Sequence, residues 1–100
     1  MKNEKIVKKL NTYDLTKFQK KVLLATLSIK KGETRTYKQI AEQIGNRHAY
    51  RAVGSALKIN PLAPQIPCHR VVKSDGTTGN YSGKGGRAGK IAMLKAEHAI

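Results

Sequence analysis

Residues 66–72, IPCHRVV, contain the only cysteine of the chain and place a histidine directly after it. Cys68 can act as a small buried hydrophobic residue, a metal ligand or a nucleophile. A thiol with an ordinary pKa of about 8.5 is only a few per cent thiolate at neutral pH. The neighbouring His69 and Arg70 would raise that fraction, so a nucleophilic role is chemically reasonable.

A metal site does not fit the distribution of possible ligands. Zinc takes four ligands at characteristic spacings, whereas the chain has one cysteine and three scattered histidines, His48, His69 and His98. A structural role stays open, because a lone cysteine is usually a buried hydrophobic residue. Cys68 nevertheless follows a proline and precedes a His-Arg pair instead of lying in an apolar run. That context favours a nucleophile, and we expect no metal or other cofactor.

A direct contact between Cys68 and His69 requires a bend, since adjacent side chains of a straight strand point to opposite faces. A bridging water would relax this requirement, and a carboxylate could then orient the imidazole. The chain has only six acidic residues, and Glu97 near its C-terminal end is one candidate.

The net charge of +14, from 20 Lys and Arg against 6 Asp and Glu, indicates an acidic partner. Nucleic acid is the leading candidate, and a surface of solvated lysines is the alternative. The longest apolar run, VLLA at residues 22–25, is too short to span a membrane. The N-terminus lacks the pattern of a secretory signal, and a single cysteine suits a reducing compartment. We therefore expect an intracellular monomer with no membrane partner.

One hundred residues are enough for one domain. The hydrophobic spacing predicts a mainly α fold with short β elements, in a single small domain that contains a helix-turn-helix. We assign residues 1–13 to a basic N-terminal segment and residues 14–100 to this domain. The pair VV at residues 71–72 predicts a short strand, and a last helix is predicted over 90–98.

The clearest helix is predicted over residues 15–31. Thr16 and Gln19 have the spacing of a capping box at its start, and Gly32 stands where a residue of positive φ closes a helix. Its apolar residues recur at helical spacing, at Phe18, Val22, Ala25 and Ile29.

Two shorter helices joined by Gly45 and Asn46 form the predicted helix-turn-helix. Thr36 and Gln39 make a second capping box, and Asn46 is the predicted N-cap of the second helix. Asn60, which precedes a proline, ends that helix. One face of the second helix is apolar, with Ala49, Ala52, Val53, Ala56 and Leu57, and the other carries Arg47, Arg51, Ser55 and Lys58.

The chain resembles the C-terminal domain of the O6-alkylguanine-DNA alkyltransferases, or methylated-DNA–protein-cysteine methyltransferases. The matching segments are GETRTYKQIA, RAVGSALKINP, IPCHRVV and GNYSG, in that order. The family's N-terminal domain has no counterpart beyond the first dozen residues. The resemblance implies a DNA repair protein that moves an alkyl group from guanine O6 irreversibly to its own cysteine. Each molecule would then act once.

The same resemblance implies a role for each matching residue at the reacting centre. Cys68 would be the nucleophile, His69 the base that acts on the thiol through a water, and Glu97 the carboxylate that orients His69. Tyr37 would donate a proton to the departing guanine. Asn60 would brace the turn below the active site.

Double-stranded DNA containing O6-alkylguanine is the implied partner, and the damaged base must be flipped out to reach a thiol. Arg51 would take its place in the stack. The second helix would lie in the minor groove, whose narrowness explains the small Gly54 and Ser55. Phosphate contacts are expected from Lys38, Arg47, Lys58 and Ser74, and the base pocket from Val71, Ser82, Tyr81 and Leu57.

Tyr50 is a departure, because many members have a small residue there; it would pack on the sugar-phosphate backbone or alter the fit to the groove. The length of the chain is similar to that of the alkyltransferase-like proteins, which bind alkylated DNA without repairing it and lack the cysteine. A sensor of damaged DNA is therefore one alternative, although Cys68 favours active transfer. A cysteine hydrolase with a Cys-His-Glu triad is another, which the small size and the basic helix disfavour.

Overall fold

The computed structural model describes residues 4–62, 65–74 and 86–99. It confirms a mainly helical fold with one short, two-stranded sheet. No helix in these three ranges is long and apolar enough to cross a membrane. In chain order the elements are α1 (Glu4–Leu10), α2 (Lys17–Leu27), β1 (Arg35–Thr36), α3 (Tyr37–Gln43), α4 (Tyr50–Lys58), a 3-10 turn (Cys68–Arg70), β2 (Val71–Val72) and α5 (Gly86–Ala96).

Both predicted capping boxes are present at the starts of α2 and α3. The Gln19 N–H donates to the Thr16 hydroxyl at 3.1 Å, and the Thr16 N–H donates to the Gln19 side chain at 2.9 Å. Thr36 and Gln39 make the same pair of bonds at 3.0 and 2.8 Å. Two N–H groups that the helix itself cannot satisfy are therefore paired at each start.

The ends of the long helices differ from their predicted positions. α2 ends at Leu27 instead of at residue 31, because the Ser28 hydroxyl donates to the Ala25 carbonyl at 2.5 Å and competes with the helical pattern. Gly32, with φ of +89°, therefore belongs to the next turn and not to the helix end. α5 begins at Gly86, four residues before the predicted start, and ends at Ala96.

The prediction that Asn46 caps the second short helix is wrong. α4 begins at Tyr50, after Ala49, and no side chain caps it. The Asn46 N–H instead donates to the Ala41 carbonyl at 2.9 Å, and Gly45, with φ of +85°, donates to Glu42 at 3.0 Å. This pair of bonds is a Schellman motif that closes α3. Arg47 consequently lies in the loop between the helices and not on α4.

The core forms where α2, α3 and α4 pack on one another. α1 contributes Leu10, which is only 1% exposed. Ala52 on α4 was predicted to face inward, but it is exposed. β1 and β2 pair in parallel, with Arg35 opposite Val71 and Thr36 opposite Val72. The core cluster includes Leu10, Val22, Leu23, Ala25, Ile29, Ile40, Ala41, Val53, Ala56, Leu57, Leu62, Ile66 and Val71.

Truncation of Leu10 tests whether α1 is an integral part of the core. We expect Leu10→Ala to lower the free energy of unfolding by about 2–5 kcal/mol, because it removes buried methyl groups and leaves a cavity. Leu24→Ala is the matched control, because Leu24 is 42% exposed on α2. Urea denaturation of both variants measures the difference, and equal midpoints would show that α1 contributes nothing to the core.

Candidate active site

Cys68 begins the 3-10 turn and is 5% exposed. Its N–H donates to the Ile66 carbonyl at 2.8 Å, and the turn leads directly into β2. In a 3-10 helix successive side chains are rotated by about 120° and not by the half-turn of a strand. The turn therefore supplies a bend that keeps the side chains of Cys68 and His69 from pointing to opposite faces.

The Glu97 carboxylate, just beyond α5, joins two side chains of this turn. His69 Nε2 lies 3.1 Å from each carboxylate oxygen. Arg70 binds the same carboxylate with two parallel bonds, Nε to Oε1 at 2.9 Å and Nη2 to Oε2 at 2.7 Å. A further Arg70 nitrogen donates to the Ile29 carbonyl at 2.9 Å. Two residues of the turn are thereby linked to the chain segments that follow α2 and α5.

These contacts decide the protonation state of Glu97 and the direction of its hydrogen bond with His69. The hydrogen bonds from Arg70, with a smaller contribution from His69, lower the pKa of Glu97 to about 2. The carboxylate is therefore ionised at neutral pH and can only accept a hydrogen bond. His69 Nε2 must then carry a proton, which leaves Nδ1 as the proton-accepting nitrogen of the neutral ring.

Asn60 supports the loop that leads to Cys68. Its side-chain amide donates to the Ile66 carbonyl at 2.9 Å, and its oxygen accepts from the Leu62 N–H at 3.0 Å. These bonds fix both ends of the segment that precedes the cysteine. The family resemblance implied a bracing role for Asn60, and that role stays a prediction.

Lys90 on α5 is a buried cation that the sequence analysis missed. It is 0% exposed, and its Nζ donates to the Val71 carbonyl at 2.6 Å and lies 5.8 Å from the centre of the Tyr37 ring. Burial lowers the pKa of Lys90 to about 8, so the amine is still mainly charged at neutral pH. Lys90, Leu94 and Glu97 have the i, i+4, i+7 spacing of one face of the helix predicted over residues 90–98, which was the available signal.

Opposing effects act on the Cys68 thiol. Burial raises the pKa of Cys68, while a hydrogen bond from Asn60 and the charge of Lys90 lower it. Burial has the largest effect, and the net pKa is above its ordinary value. Cys68 is therefore a thiol at rest, and a nucleophilic reaction needs a base to remove its proton.

Tyr37, the first residue of α3, packs between Lys90 and α4. A methyl group added at Gly54 would lie 3.8 Å from the Tyr37 ring, which is an ordinary van der Waals contact, so the α4 backbone and this ring are close neighbours. Burial, with a smaller effect from Cys68, raises the pKa of Tyr37. The phenol is thus protonated at neutral pH and able to donate a hydrogen bond.

The exposed side of α4 carries Arg51, Ser55 and Lys58, as predicted from the sequence. A cleft of about 320 Å³ opens near the start of this helix. At the edge of the cleft, the Lys38 Nζ lies 5.7 Å from the centre of the Tyr50 ring. The described residues that line the cleft are Tyr37, Lys38, Tyr50, Gly54, Lys73 and Ser74.

The structure brings some of the expected site residues together and separates others. Val71 and Leu57 lie in the core, and Tyr81 and Ser82 fall outside the described residues. The pairing of Arg70 with Glu97, the position of Lys73 in the cleft and the burial of Lys90 were not anticipated. Among the described residues, no three His, Cys, Asp or Glu side chains are grouped closely enough to hold a metal ion.

A helix-turn-helix next to a buried Cys, a His and a carboxylate defines a small helical domain with a potential thiol active site. Residues 17–99 match the sequence profile of the 6-O-methylguanine DNA methyltransferase DNA-binding domain. The chain belongs to this family.

Three similar proteins show the extent of the relationship. A methylated-DNA–protein-cysteine methyltransferase of Methanosarcina barkeri is 52% identical over 80 residues, which are 74% of this chain and 51% of that protein. The crystal structure of Mycobacterium tuberculosis OGT in complex with DNA has a TM-score of 0.79 at 47% identity, over 83% of this chain and 49% of that one. S. pombe Atl1, in complex with damaged DNA containing O6-carboxymethylguanine, has a TM-score of 0.73 at 30% identity, over 85% of this chain and 79% of that one. The chain thus spans about half the length of the first two.

The charge of Lys90 should be measurable as a shift in the titration of Cys68. We expect Lys90→Met to raise the pKa of Cys68, because a buried positive charge that favours the thiolate is lost. Ultraviolet absorbance of the thiolate during a pH titration measures this pKa. Lys95→Met, on the exposed side of the same helix, should leave it unchanged. Equal values in the wild type and in Lys90→Met would contradict the assignment.

The low pKa of Glu97 predicts a loss of stability in acid. The unfolded carboxyl titrates near its ordinary value of about 4.3, and the folded one at about 2. The ionised Glu97 therefore stabilises the folded state fully above the pKa of the unfolded carboxyl. This stabilisation is lost as the pH falls to the pKa of the folded one. Denaturant unfolding across this range should show a steep decline for the wild type and a flatter one for Glu97→Gln. The exposed Glu42 provides the control, since Glu42→Gln should keep the steep decline.

Proposed function

We propose that this chain repairs O6-alkylguanine in double-stranded DNA by transferring the alkyl group to Cys68 in a single event per molecule. The observation that carries the proposal is the buried thiol beside a carboxylate-held histidine, with a protonated tyrosine close by. Membership of the methyltransferase family supports it, as do similar proteins named for this activity.

The proposed reaction is one displacement. His69 accepts the proton of the Cys68 thiol through a water molecule, with Nδ1 as the accepting atom. The sulfur attacks the alkyl carbon, a carbon–sulfur bond forms, and the bond between that carbon and guanine O6 breaks. Tyr37 donates its proton to a ring nitrogen of the departing guanine, which prevents a full negative charge on the leaving group. The product is a stable thioether, so the protein does not turn over, and no cofactor is consumed.

In this proposal α4 lies in the minor groove. Arg51 occupies the space left by the flipped base, and the small Gly54 and Ser55 allow the helix to approach the groove walls. Lys38, Lys58 and Ser74 contact phosphates, and Arg47 does so from the loop. The chain acts as a monomer inside the cell, where its substrate is found.

The sensor of damaged DNA is the second candidate. Its support is the structural similarity to S. pombe Atl1, whose structure contains DNA with O6-carboxymethylguanine. A raised pKa of Cys68 also suits a cysteine that does not react. Both candidates predict binding to alkylated DNA, and they differ only in the fate of Cys68.

Intact-protein mass spectrometry after mixing with a duplex that contains one O6-methylguanine separates the two functions. Transfer predicts a gain of one methyl group per molecule, located on Cys68 and absent from Cys68→Ser. Tyr37→Phe should react more slowly by roughly 100-fold, because it lacks the proton donor. Tight binding with no gain in mass would support the sensor, and a methyl group on Cys68→Ser would contradict the assignment of the nucleophile.

A further inference from the structure

A second group of lysines lies on α1 and α2, apart from the residues that the proposed function uses. Residues 4–31 contain eight lysines against two acidic residues, Glu4 and Asp14. All of these lysines except the half-buried Lys20 are exposed. The proposed DNA contacts of α3 and α4 do not account for this charge. We call the exposed group the α1–α2 lysine surface, and its members are Lys5, Lys8, Lys9, Lys17, Lys21, Lys30 and Lys31.

In α1 the apolar residues and the lysines occupy opposite faces. Leu10 is buried, and Ile6, four residues earlier, packs against the core. Lys5, Lys8 and Lys9 are exposed at i, i+3 and i+4. The apolar face therefore attaches α1 to the domain, and the lysines are presented to solvent on a fixed element.

The exposed residues of α2 form a narrow stripe. Lys17, Lys21 and Leu24 are exposed at i, i+4 and i+7 of this helix. The other side of α2 is buried and packs on α3, on α4 and on the turn of Cys68. The lysines of α2 therefore face away from α4.

α4 places its exposed residues on the other side of this helix pair. Arg51 and Lys58 are exposed, whereas Val53 and Ala56 are buried in the core that α4 shares with α2. The axes of packed helices lie about 8–10 Å apart, and a helix with its side chains is about 10–12 Å across, so the outer faces of α2 and α4 are about 20 Å apart. Because the Debye length at physiological ionic strength is about 8 Å, a duplex bound to α4 is largely screened from the charge on α2.

The chemistry of the α1–α2 lysine surface fits the phosphate backbone of a duplex. Its cations are all lysines, which bind phosphates as point charges. A single-stranded nucleic acid is bound through aromatic side chains on which its bases stack, and an anionic membrane through a broad apolar face. Among residues 4–31 the exposed large apolar side chains are Tyr13 and Leu24, which are too few for either partner.

We propose that the α1–α2 lysine surface binds a second duplex segment while α4 holds the first one. The protein thereby bridges two stretches of DNA. This inference rests on the proposed function in one respect, because α4 is taken as the first DNA surface. Neighbouring segments of a chromosome are present at high local concentration, so a weak second contact is enough. A contact through phosphates alone is independent of sequence, and it lets the protein pass between segments in its search for a damaged base.

Capture of a second duplex tests this proposal. A short intact duplex is fixed to beads, the protein is bound, the excess is washed away, and a fluorescent copy of the same duplex is added at about 50 mM salt, where phosphate contacts are strong. The wild type should retain the fluorescent duplex. The combined variant Lys9→Gln, Lys17→Gln and Lys21→Gln should retain at least about tenfold less, because three phosphate contacts are lost. Its affinity for a single duplex, measured by fluorescence anisotropy, should change by less than about threefold, since α4 is screened from these charges.

Matched controls separate bridging from general positive charge and from pairing of protein molecules. Lysine and glutamine have similar helix propensities, so the combined variant should fold as the wild type does. Removal of three exposed charges elsewhere, with Arg35→Gln, Arg87→Gln and Lys95→Gln combined, should leave the retention unchanged. Sedimentation of the wild type with excess duplex should show one protein with two duplexes.

Four results would overturn the proposal. They are wild-type retention by the combined α1–α2 variant, an equal loss in its affinity for a single duplex, an equal loss of retention in the control variant, and a complex of two proteins with two duplexes. A single-stranded RNA of the same length is a further probe. Its retention in preference to the second duplex would assign the surface to RNA and reject the bridging of DNA.

The outcome is independent of alkyl transfer, because these duplexes contain no O6-methylguanine. If Cys68 gains a methyl group from damaged DNA but the second duplex is not retained, the repair function stands and the bridging surface fails. If the second duplex is retained but Cys68 gains no methyl group, the bridging surface stands and the transfer reaction fails. Failure to bind any duplex would reject both.

Discussion

The Glu97 carboxylate is the contact on which the geometry of the site depends. It accepts two hydrogen bonds from Arg70 and also contacts His69, and Arg70 in turn donates to the carbonyl of Ile29. Glu97 is 12% exposed at its side chain, so the pair with Arg70 is shielded from much of the solvent. A bidentate pair of this kind has a defined geometry. It therefore orients the imidazole and fixes the short turn that contains Cys68.

The chemistry of Cys68 follows from a conflict between burial and charge. A buried thiol is protected from unwanted reagents, but burial also disfavours its reactive thiolate form. Lys90 offsets part of this effect, and its own burial is made possible by the hydrogen bond to the Val71 carbonyl and by the Tyr37 ring. The same cation thus acts on both groups that the proposed reaction uses, the nucleophile and the proton donor. A thiol that stays protonated until a substrate arrives suits the proposed reaction, in which each molecule acts once.

The helix-turn-helix and the active site share their structural elements. β1 leads directly into α3, so the first residue of this helix, Tyr37, is positioned by the pairing of β1 with β2. β2 in turn follows the 3-10 turn of Cys68, and α4 packs on α3. A change in the position of α4 would therefore be transmitted to the cleft through Gly54 and the Tyr37 ring. In this way the surface that we propose to bind the duplex and a buried thiol can be parts of one small domain.

Local features were predictable from the sequence. The capping boxes at Thr16 and Thr36 depend on residues three positions apart, and the apolar faces of the helices depend on the 3.6-residue period. The family motifs marked Cys68 and His69 before any contact was known, and the small number of acidic residues made Glu97 a candidate. The predicted end of α2 and the predicted start of α4 were wrong where local hydrogen bonds decided them. These are the bond of the Ser28 hydroxyl and the Schellman motif that engages Asn46.

Only the tertiary structure decided which distant groups meet. His69 and Glu97 are 28 residues apart in the chain, and the contact of Arg70 with Ile29 spans 41. The burial of Lys90 could not be read from its type, because lysine is usually exposed. Such contacts depend on how the helices pack and on the register of two short strands. Sequence alone determined the local hydrogen bonds and the candidate nucleophile, whereas packing determined its electrostatic environment, because charge interactions depend on distance in space and not on separation along the chain.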